Sequence, residues 1–507
     1  MLKTQTVTAI LHRSRLNFNI TTSSSSSLPA AASKMSTTEN AIRAHPPPDS
    51  PEELRQQRPQ QQSSGAYFPL GYKEAAYQWW SSITPSMAER NVLKHIPFLK
   101  EATTSMGNLS SPDAADSFGT RIWRRSMVQL SGKNRALNEF SVERVGEEAE
   151  ETLVMVHGYG AGLGFFYKNF EPISRIPGLK LYALDMLGMG NSSRPPFKIH
   201  AKDKEGKVIE AENWFIDALE EWRKARKIER FTLLGHSLGG YLAVSYALKY
   251  PGHLKKLILA SPVGIPEDPY AVNAALPEPG ESTMQNEFTV DQQTTTTTKN
   301  GAAVPPKRPY PNWLVWLWDA NVSPFSIVRM AGPLGPRFVS GWTSRRFNHL
   351  PAEEAQTLHD YSFSIFKQKG SGEYALAYIL APGAFARRPV INRIQNVGRQ
   401  PITGPDGQTV AKETGIPVVF MYGENDWMDV AGGLAAEEKL KQHKANIMRN
   451  GTEEEKRNEN GSCKVVIIPK AGHHLYLDNA EFFNNIMRKE MEDVKAMEKR
   501  RQAAASS

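Results

Sequence analysis

Cysteine is almost absent from this chain: one residue, Cys463, in 507. An internal disulfide framework is thereby excluded, and a reducing compartment, or at least no dependence on oxidation, is expected. No apolar run approaches the about 20 residues that a helix needs to span a bilayer, so any membrane contact is expected to be peripheral. No Gly-rich loop ends in the Lys-Ser/Thr of a phosphate loop. No basic stripe or recognition motif speaks for nucleic acid, which is not an expected partner. The hydrophobic share of 40% is ordinary for a globular chain. A mean hydropathy of −0.46 fits such a core diluted by polar tails.

Acid is also missing from the beginning. Residues 1–38 carry Lys3, Arg13, Arg15 and Lys34 and the serine run Ser23–Ser27, and the first acidic residue is Glu39. An Arg- and Ser-rich leader without acid has the composition of a mitochondrial presequence, and it lacks the continuous apolar core of a secretory signal. The expected location is mitochondrial, peripheral on the inner membrane, with Met35 as an internal start for a second form elsewhere. Residues 1–34 hold four of the eight net positive charges. The remainder is mildly basic, which favours anionic lipid surfaces. No protein partner is predictable.

What is present centres on Phe231-Thr-Leu-Leu-Gly235-His236-Ser237-Leu238-Gly239-Gly240, followed by an apolar helical run. Strand, sharp turn and helix are the context in which Gly-x-Ser-x-Gly forms a nucleophile elbow, the turn lifting the serine hydroxyl clear of the chain. A hydroxyl needs a base, and the base needs an orienting acid; in this motif the chain order is Ser, then Asp or Glu, then His. Ile416–Gly423 reads as a strand ending at Asp426, and Lys464–Gly472 as a strand ending at His473. Ser237 is therefore the expected nucleophile, His473 the base and then acid, and Asp426 the orienting carboxylate. Asp429 is the alternative acid and Glu424 a weaker one, while His474 is the rival base. The His473-His474 pair has no third ligand at a supporting spacing, so no metal is expected, and no cofactor is required. A further strand, Leu153–Val156, runs into His157-Gly158-Tyr159-Gly160. Its loop nominates the backbone N–H of Tyr159, with that of Leu238, as oxyanion donors. His157 reads as a structural residue of that loop.

Alternating strands and helices imply a mostly parallel, doubly wound sheet. Residues 1–64 read as presequence and Pro/Gln-rich linker, and 65–117 as an aromatic-rich helical segment. The latter includes Tyr67, Phe68, Tyr72, Tyr77, Trp79 and Trp80, a candidate interfacial anchor or a helix packed on the core. Residues 118–262 form the first part of the core. Residues 263–412, with Trp313, Trp316 and Trp318, form a helical lid containing a low-complexity loop over 275–308. Residues 413–507 complete the core and end in a long helix from about 479.

With these blocks assembled, the chain resembles α/β-hydrolases of the lysophospholipase and lysophosphatidate acyltransferase branch, and within it fungal mitochondrial cardiolipin-specific deacylases. The likeness spans about 67–490. It rests on His157–Gly164, Asp185-Met-Leu-Gly-Met-Gly-Asn-Ser-Ser-Arg194-Pro195, the Ser237 elbow, Ser323–Pro333, Ala386-Arg-Arg-Pro389, Gly423–Asp429 and His473-His-Leu-Tyr-Leu-Asp478. The resemblance implies an α/β-hydrolase fold and a serine-dependent phospholipase of the A type, deacylating cardiolipin to monolysocardiolipin. It leaves two alternatives: a lysophosphatidate acyltransferase using acyl-CoA, and a lipid-surface scaffold that recruits another lipase. It also marks His473-x4-Asp478 as an acyltransferase-type motif. Read from the residues alone, Asp478 and Glu481 form a capping box before an apolar helix.

Overall fold

The computed structural model describes residues 69–81, 83–102, 116–268, 312–404 and 406–506. The expected presequence, Tyr67, Phe68 and the loop expected over 275–308 lie outside them.

The sheet is built from β1 (Lys100–Glu101), β2 (Arg121–Gln129), β3 (Ala136–Arg144), β4 (Glu151–Val156), β5 (Leu179–Leu184), β6 (Phe231–His236), β7 (Leu254–Ala260), β10 (Pro417–Gly423) and β11 (Ser462–Ile468). Two short strands, β8 (Pro401–Thr403) and β9 (Thr409–Lys412), form a separate antiparallel pair. The nine strands are ordered β1-β2-β3-β5-β4-β6-β7-β10-β11. Within that sheet β3 runs antiparallel to both neighbours, and the other pairings are parallel. The carboxyl ends of β4, β6, β7, β10 and β11 therefore open onto one edge, where open α/β sheets carry their ligands.

Side chains alternate across the sheet with the strand period of two. On β4, Leu153 and Met155 enter the layer that holds Phe166, Phe170 and Phe483. Val154 and Val156 enter the opposite layer, with Phe215, Trp222 and Tyr241. Both faces are thus covered by helices, which is why the central strands read as continuous apolar runs.

Between β7 and β10 the segment expected as a lid holds helices Asn312–Asp319, Pro324–Met330, Gly335–Arg346 and Ala352–Phe366. It then passes through short helical turns into the β8–β9 hairpin, so the expected helical stretch ends in strands. Ser323 caps the second of these helices, its side chain accepting from Phe325 N–H with Pro324 in the first turn. Thr84 and Pro85 do the same for Pro85–Leu93; a hydroxyl cap before a proline is a strong helix start.

The aromatic-rich segment packs on this lid. In helix Tyr72–Ser81, Ala75 is buried, Gln78 Nε2 donates to Asp360 Oδ1 at 2.7 Å and Gln78 Oε1 lies 3.0 Å from His359 Nε2. Tyr72, Tyr77, Trp79 and Trp80 of the same helix face outward. The lid tryptophans divide likewise: Trp318 is buried, its indole N–H donating to Leu380 O at 3.2 Å, while Trp316 is exposed. The side chain of Trp313 lies outside the description.

Candidate active site

Strand β6 ends at His236, and the next residue turns sharply: Ser237 has φ 53° and ψ −118°, in the left-handed half of backbone space. Such a conformation is costly for a residue with a Cβ and persists only where its surroundings impose it. Here they do. A Cβ on Gly235 would fall 2.3 Å from Gly239 O, so strand and helix meet too closely for any side chain at that glycine. Ser237 also caps helix Leu238–Lys249, its carbonyl accepting from Gly240 and Tyr241.

The three residues expected from chain order come together. Ser237 Oγ lies 3.1 Å from His473 Nε2, and His473 Nδ1 lies 3.2 Å from Asp426 Oδ1. All three side chains are buried, the His473 and Asp426 side chains fully so. Burial disfavours the Asp426 carboxylate, but hydrogen bonds from His473, Ser261 and Met428 N–H outweigh it, and its pKa falls below the usual carboxylate value. Trp427 lies against the imidazole, ring centroids 4.8 Å apart.

The rivals stand elsewhere. Asp429 caps helix Val430–Asn450, accepting from Ala431 N–H at 2.8 Å. Glu424 is exposed and accepts from Lys470 N–H. His474 is buried among Phe165, His236 and Tyr476. The capping box expected of Asp478 and Glu481 is corrected: the cap of the last helix comes from Asn479, whose Oδ1 accepts from Phe482 N–H at 3.2 Å. Asp478 instead accepts from Gly472 N–H at 2.9 Å.

The Gly-rich loop after β4 passes directly over the nucleophile. A Cβ on Gly158 would fall 2.8 Å from Ser237 Cβ. Tyr159 follows in this loop, and Leu238 opens the nucleophile helix, where the first N–H groups have no intrahelical acceptor. His157 is structural: its Nε2 accepts from Met186 N–H at 3.1 Å, and its Nδ1 lies 2.7 Å from Gly158 O. The lid meets the loop through Phe325, stacked on Tyr159 at 5.1 Å and on Phe366 at 4.4 Å.

Two features escaped the sequence. Ser261, one residue past β7, is fully buried with φ 47°. Its Oγ lies 2.5 Å from Asp426 Oδ2 and 2.6 Å from His473 Nδ1. Its place at a strand's carboxyl end, shared with Ser237, Asp426 and His473, was the available signal. The second is Glu89, buried under the loop. It accepts from Asn138 and Asn191, 2.8 Å each, beside Asp185, which in turn accepts from Leu163 N–H at 2.7 Å. Arg125 Nε stands 2.8 Å from Glu89 Oε1 without hydrogen-bond alignment.

A family model described as alpha/beta hydrolase fold matches residues 151–480. The chain belongs to the alpha/beta hydrolase fold family. Among curated relatives, a 1-acylglycerol-3-phosphate O-acyltransferase of Arabidopsis thaliana is 34% identical over 374 residues, 72% of either chain. A (lyso)-N-acylphosphatidylethanolamine lipase of Mus musculus is 30% identical over 366 residues, covering 71% of this chain and 84% of the relative. A carboxylesterase CesB from Bacillus subtilis matches structurally over 81% of this chain and 96% of its own, at 13% identity and a TM-score of 0.43.

Proposed function

We propose that this chain is a serine acyl hydrolase that removes one acyl chain from a membrane phospholipid, with cardiolipin as substrate and monolysocardiolipin as product. The observation that carries the proposal is the buried hydrogen-bonded series Ser237–His473–Asp426 at the carboxyl edge of the sheet. Ser237 Oγ attacks the ester carbonyl while His473 Nε2 takes its proton, and the Asp426 carboxylate holds the imidazole by Nδ1–H. The backbone N–H groups of Tyr159 and Leu238 hold the oxyanion. The tetrahedral species collapses, the ester C–O bond breaks, and His473 passes its proton to the departing glycerol oxygen. Water then gives a proton to His473 and its oxygen to the acyl carbon. Fatty acid leaves and Ser237 regains its hydrogen, so one water is consumed per ester cleaved.

Cardiolipin is favoured by the sequence resemblance and by the basic balance of the chain, and a mitochondrial inner-membrane location by the acid-free leader. Peripheral attachment is supported by the outward aromatic face of helix Tyr72–Ser81. No helix among the described residues is long and apolar enough to cross a membrane.

A second reading, transfer of the acyl group to lysophosphatidate, is favoured by the likeness to the Arabidopsis acyltransferase. Here the same acyl-enzyme, or an acyl-CoA, delivers its chain to the lysophosphatidate hydroxyl, so the two readings differ in what receives the acyl group. The full-length protein and Ser237→Ala, assayed on cardiolipin, phosphatidylcholine and phosphatidylethanolamine vesicles, and on lysophosphatidate with acyl-CoA, separate the two. Monolysocardiolipin and fatty acid that vanish in the variant are expected. Phosphatidate without fatty-acid release promotes the transferase. Unchanged function in Ser237→Ala leaves only a lipid-surface scaffold.

A further inference from the structure

The turn that presents His473 is tied together by the residues after it. Leu477 and Asp478 N–H both return to His474 O, at 2.7 and 3.0 Å. Asn479 Nδ2 donates to Pro469 O at 2.8 Å. Between these ties, Asp478 Oδ2 accepts the N–H of Gly472, the residue immediately before His473, at 2.9 Å. The other carboxylate oxygen faces the lid, with His349 Nε2 3.7 Å away. Both ring nitrogens of His473 are meanwhile engaged, Nε2 by Ser237 and Nδ1 by Asp426 and Ser261.

We propose that Asp478 is a positioning residue that fixes the Gly472–His473 turn through the Gly472 N–H, serving hydrolysis and acyl transfer alike rather than acting as a reaction partner in transfer. Angular freedom at a general base is expensive, because proton transfer from Ser237 needs Nε2 within hydrogen-bond reach and aligned. An acceptor on Gly472 N–H removes that freedom at the residue nearest the imidazole. The hydrogen bond needs an oxygen acceptor, not a negative charge, so an asparagine at 478 preserves it and an alanine does not. The proposal rests on the serine-hydrolase reading for its choice of nucleophile.

The test uses the full chain as wild type, Ser237→Ala, Asp478→Asn and Asp478→Ala. Three rates are read on each: fatty-acid release from cardiolipin vesicles, phosphatidate formation from lysophosphatidate and acyl-CoA, and covalent labelling of Ser237 by a fluorophosphonate. Labelling needs His473 in place but no natural lipid, so it reports on positioning even where both lipid assays are blank. A blank lipid assay with labelling intact is a failure of the substrate reading, and the labelling ratio still decides the role of Asp478. In Asp478→Ala, labelling and whichever lipid activity exists are expected to fall together, by about 10- to 100-fold in kcat with KM unchanged. Asp478→Asn is expected to stay within about threefold of wild type in each, on the same hydrogen-bond argument. Loss of phosphatidate formation in Asp478→Asn with labelling and hydrolysis intact overturns the proposal, since it shows a carboxylate needed for transfer alone. Wild-type labelling in a folded Asp478→Ala overturns it equally. Should Asp478→Ala not fold, wild-type labelling in Asp478→Asn supports the proposal and a fall with wild-type melting behaviour refutes it.

Discussion

Ser261 Oγ lies 2.6 Å from Nδ1 of His473. It also lies 2.5 Å from Asp426 Oδ2. A carboxylate only accepts, so the hydroxyl hydrogen points to Asp426 and the Ser261 oxygen accepts from His473 Nδ1–H. One side chain thus holds both the acid and the base, and its own backbone is locked by an N–H donated to Met421 O at 2.7 Å. Ser261→Ala is expected to lower kcat by about 10- to 100-fold on any ester the enzyme accepts, the range for a hydrogen bond to a charged group, with KM unchanged. A wild-type kcat in this variant would show that Asp426 alone orients the base.

Asp426 and Asp429 separate by what each carboxylate does. Asp426→Asn removes the charge that stabilises the imidazolium and permits the wrong tautomer, and it is expected to lower kcat by about 10³- to 10⁴-fold with little loss of stability. Asp429→Ala removes a helix cap and is expected to cost about 1 kcal/mol of stability, with activity retained. Thermal melts and ester kinetics on the two variants check both halves. A larger kinetic loss at Asp429 than at Asp426 would exchange their roles.

That contrast marks where sequence was sufficient. Strand β6 before Ser237 and strand β10 before Asp426 are apolar because both faces of the sheet are covered, so the pattern pointed to strands, and residues just past strand ends share an edge. The same logic led to His473. It stopped at Ser261, because a serine after a strand carries no motif, and its value comes from Asp426 and His473 being distant in sequence and adjacent in space. It misjudged Asp478 by one residue. Asp478 and Asn479 are both good caps, and nothing local reveals that Asn479 takes the helix while the carboxylate turns back to Gly472. Glu89 was illegible for a different reason: on a helix, one glutamate among polar neighbours reads as solvated, and tertiary packing buries this one.

That burial gives Glu89 a pH signature. Desolvation, reinforced by the neighbouring Asp185 charge and opposed by Arg125, pushes its carboxyl from the ordinary 4.5 up to about 8. The folded state therefore keeps the proton through a window in which the unfolded chain has lost it. Stability from this group is full below the unfolded value and declines as pH rises towards about 8. Glu89→Gln has no proton to lose. Relative to wild type it is expected to gain stability steadily from about pH 5 to about pH 8, read as a widening gap in Tm. A gap that stays constant across the window would mean that Glu89 titrates at an ordinary value.

The outward face formed by the N-terminal helix and the lid makes the last prediction. Trp80 is 83% exposed and Met330 76%. Helix Tyr72–Ser81 packs against residues 332–334 and helix Gly335–Arg346, elements that expose Leu334 and Phe338 as well. Arg337 lies over the Tyr72 ring at 4.3 Å, bringing a cation among the aromatics. Apolar side chains rimmed by cationic ones suit the headgroup region of an anionic bilayer, where rings are buried and charges meet phosphate. None of these residues touches Ser237, His473 or Asp426, so binding and chemistry should separate. The double variant Trp80→Ser, Met330→Ser is expected to bind cardiolipin-containing vesicles about 10- to 100-fold more weakly, since each side chain contributes about 1 kcal/mol or more when buried. Its kcat/KM on a short-chain, water-soluble ester should equal that of wild type. Vesicle co-sedimentation beside the soluble-ester assay distinguishes the outcomes: unchanged sedimentation removes this face from membrane attachment, and a parallel fall on the soluble ester would mean that the face supports the lid rather than the bilayer.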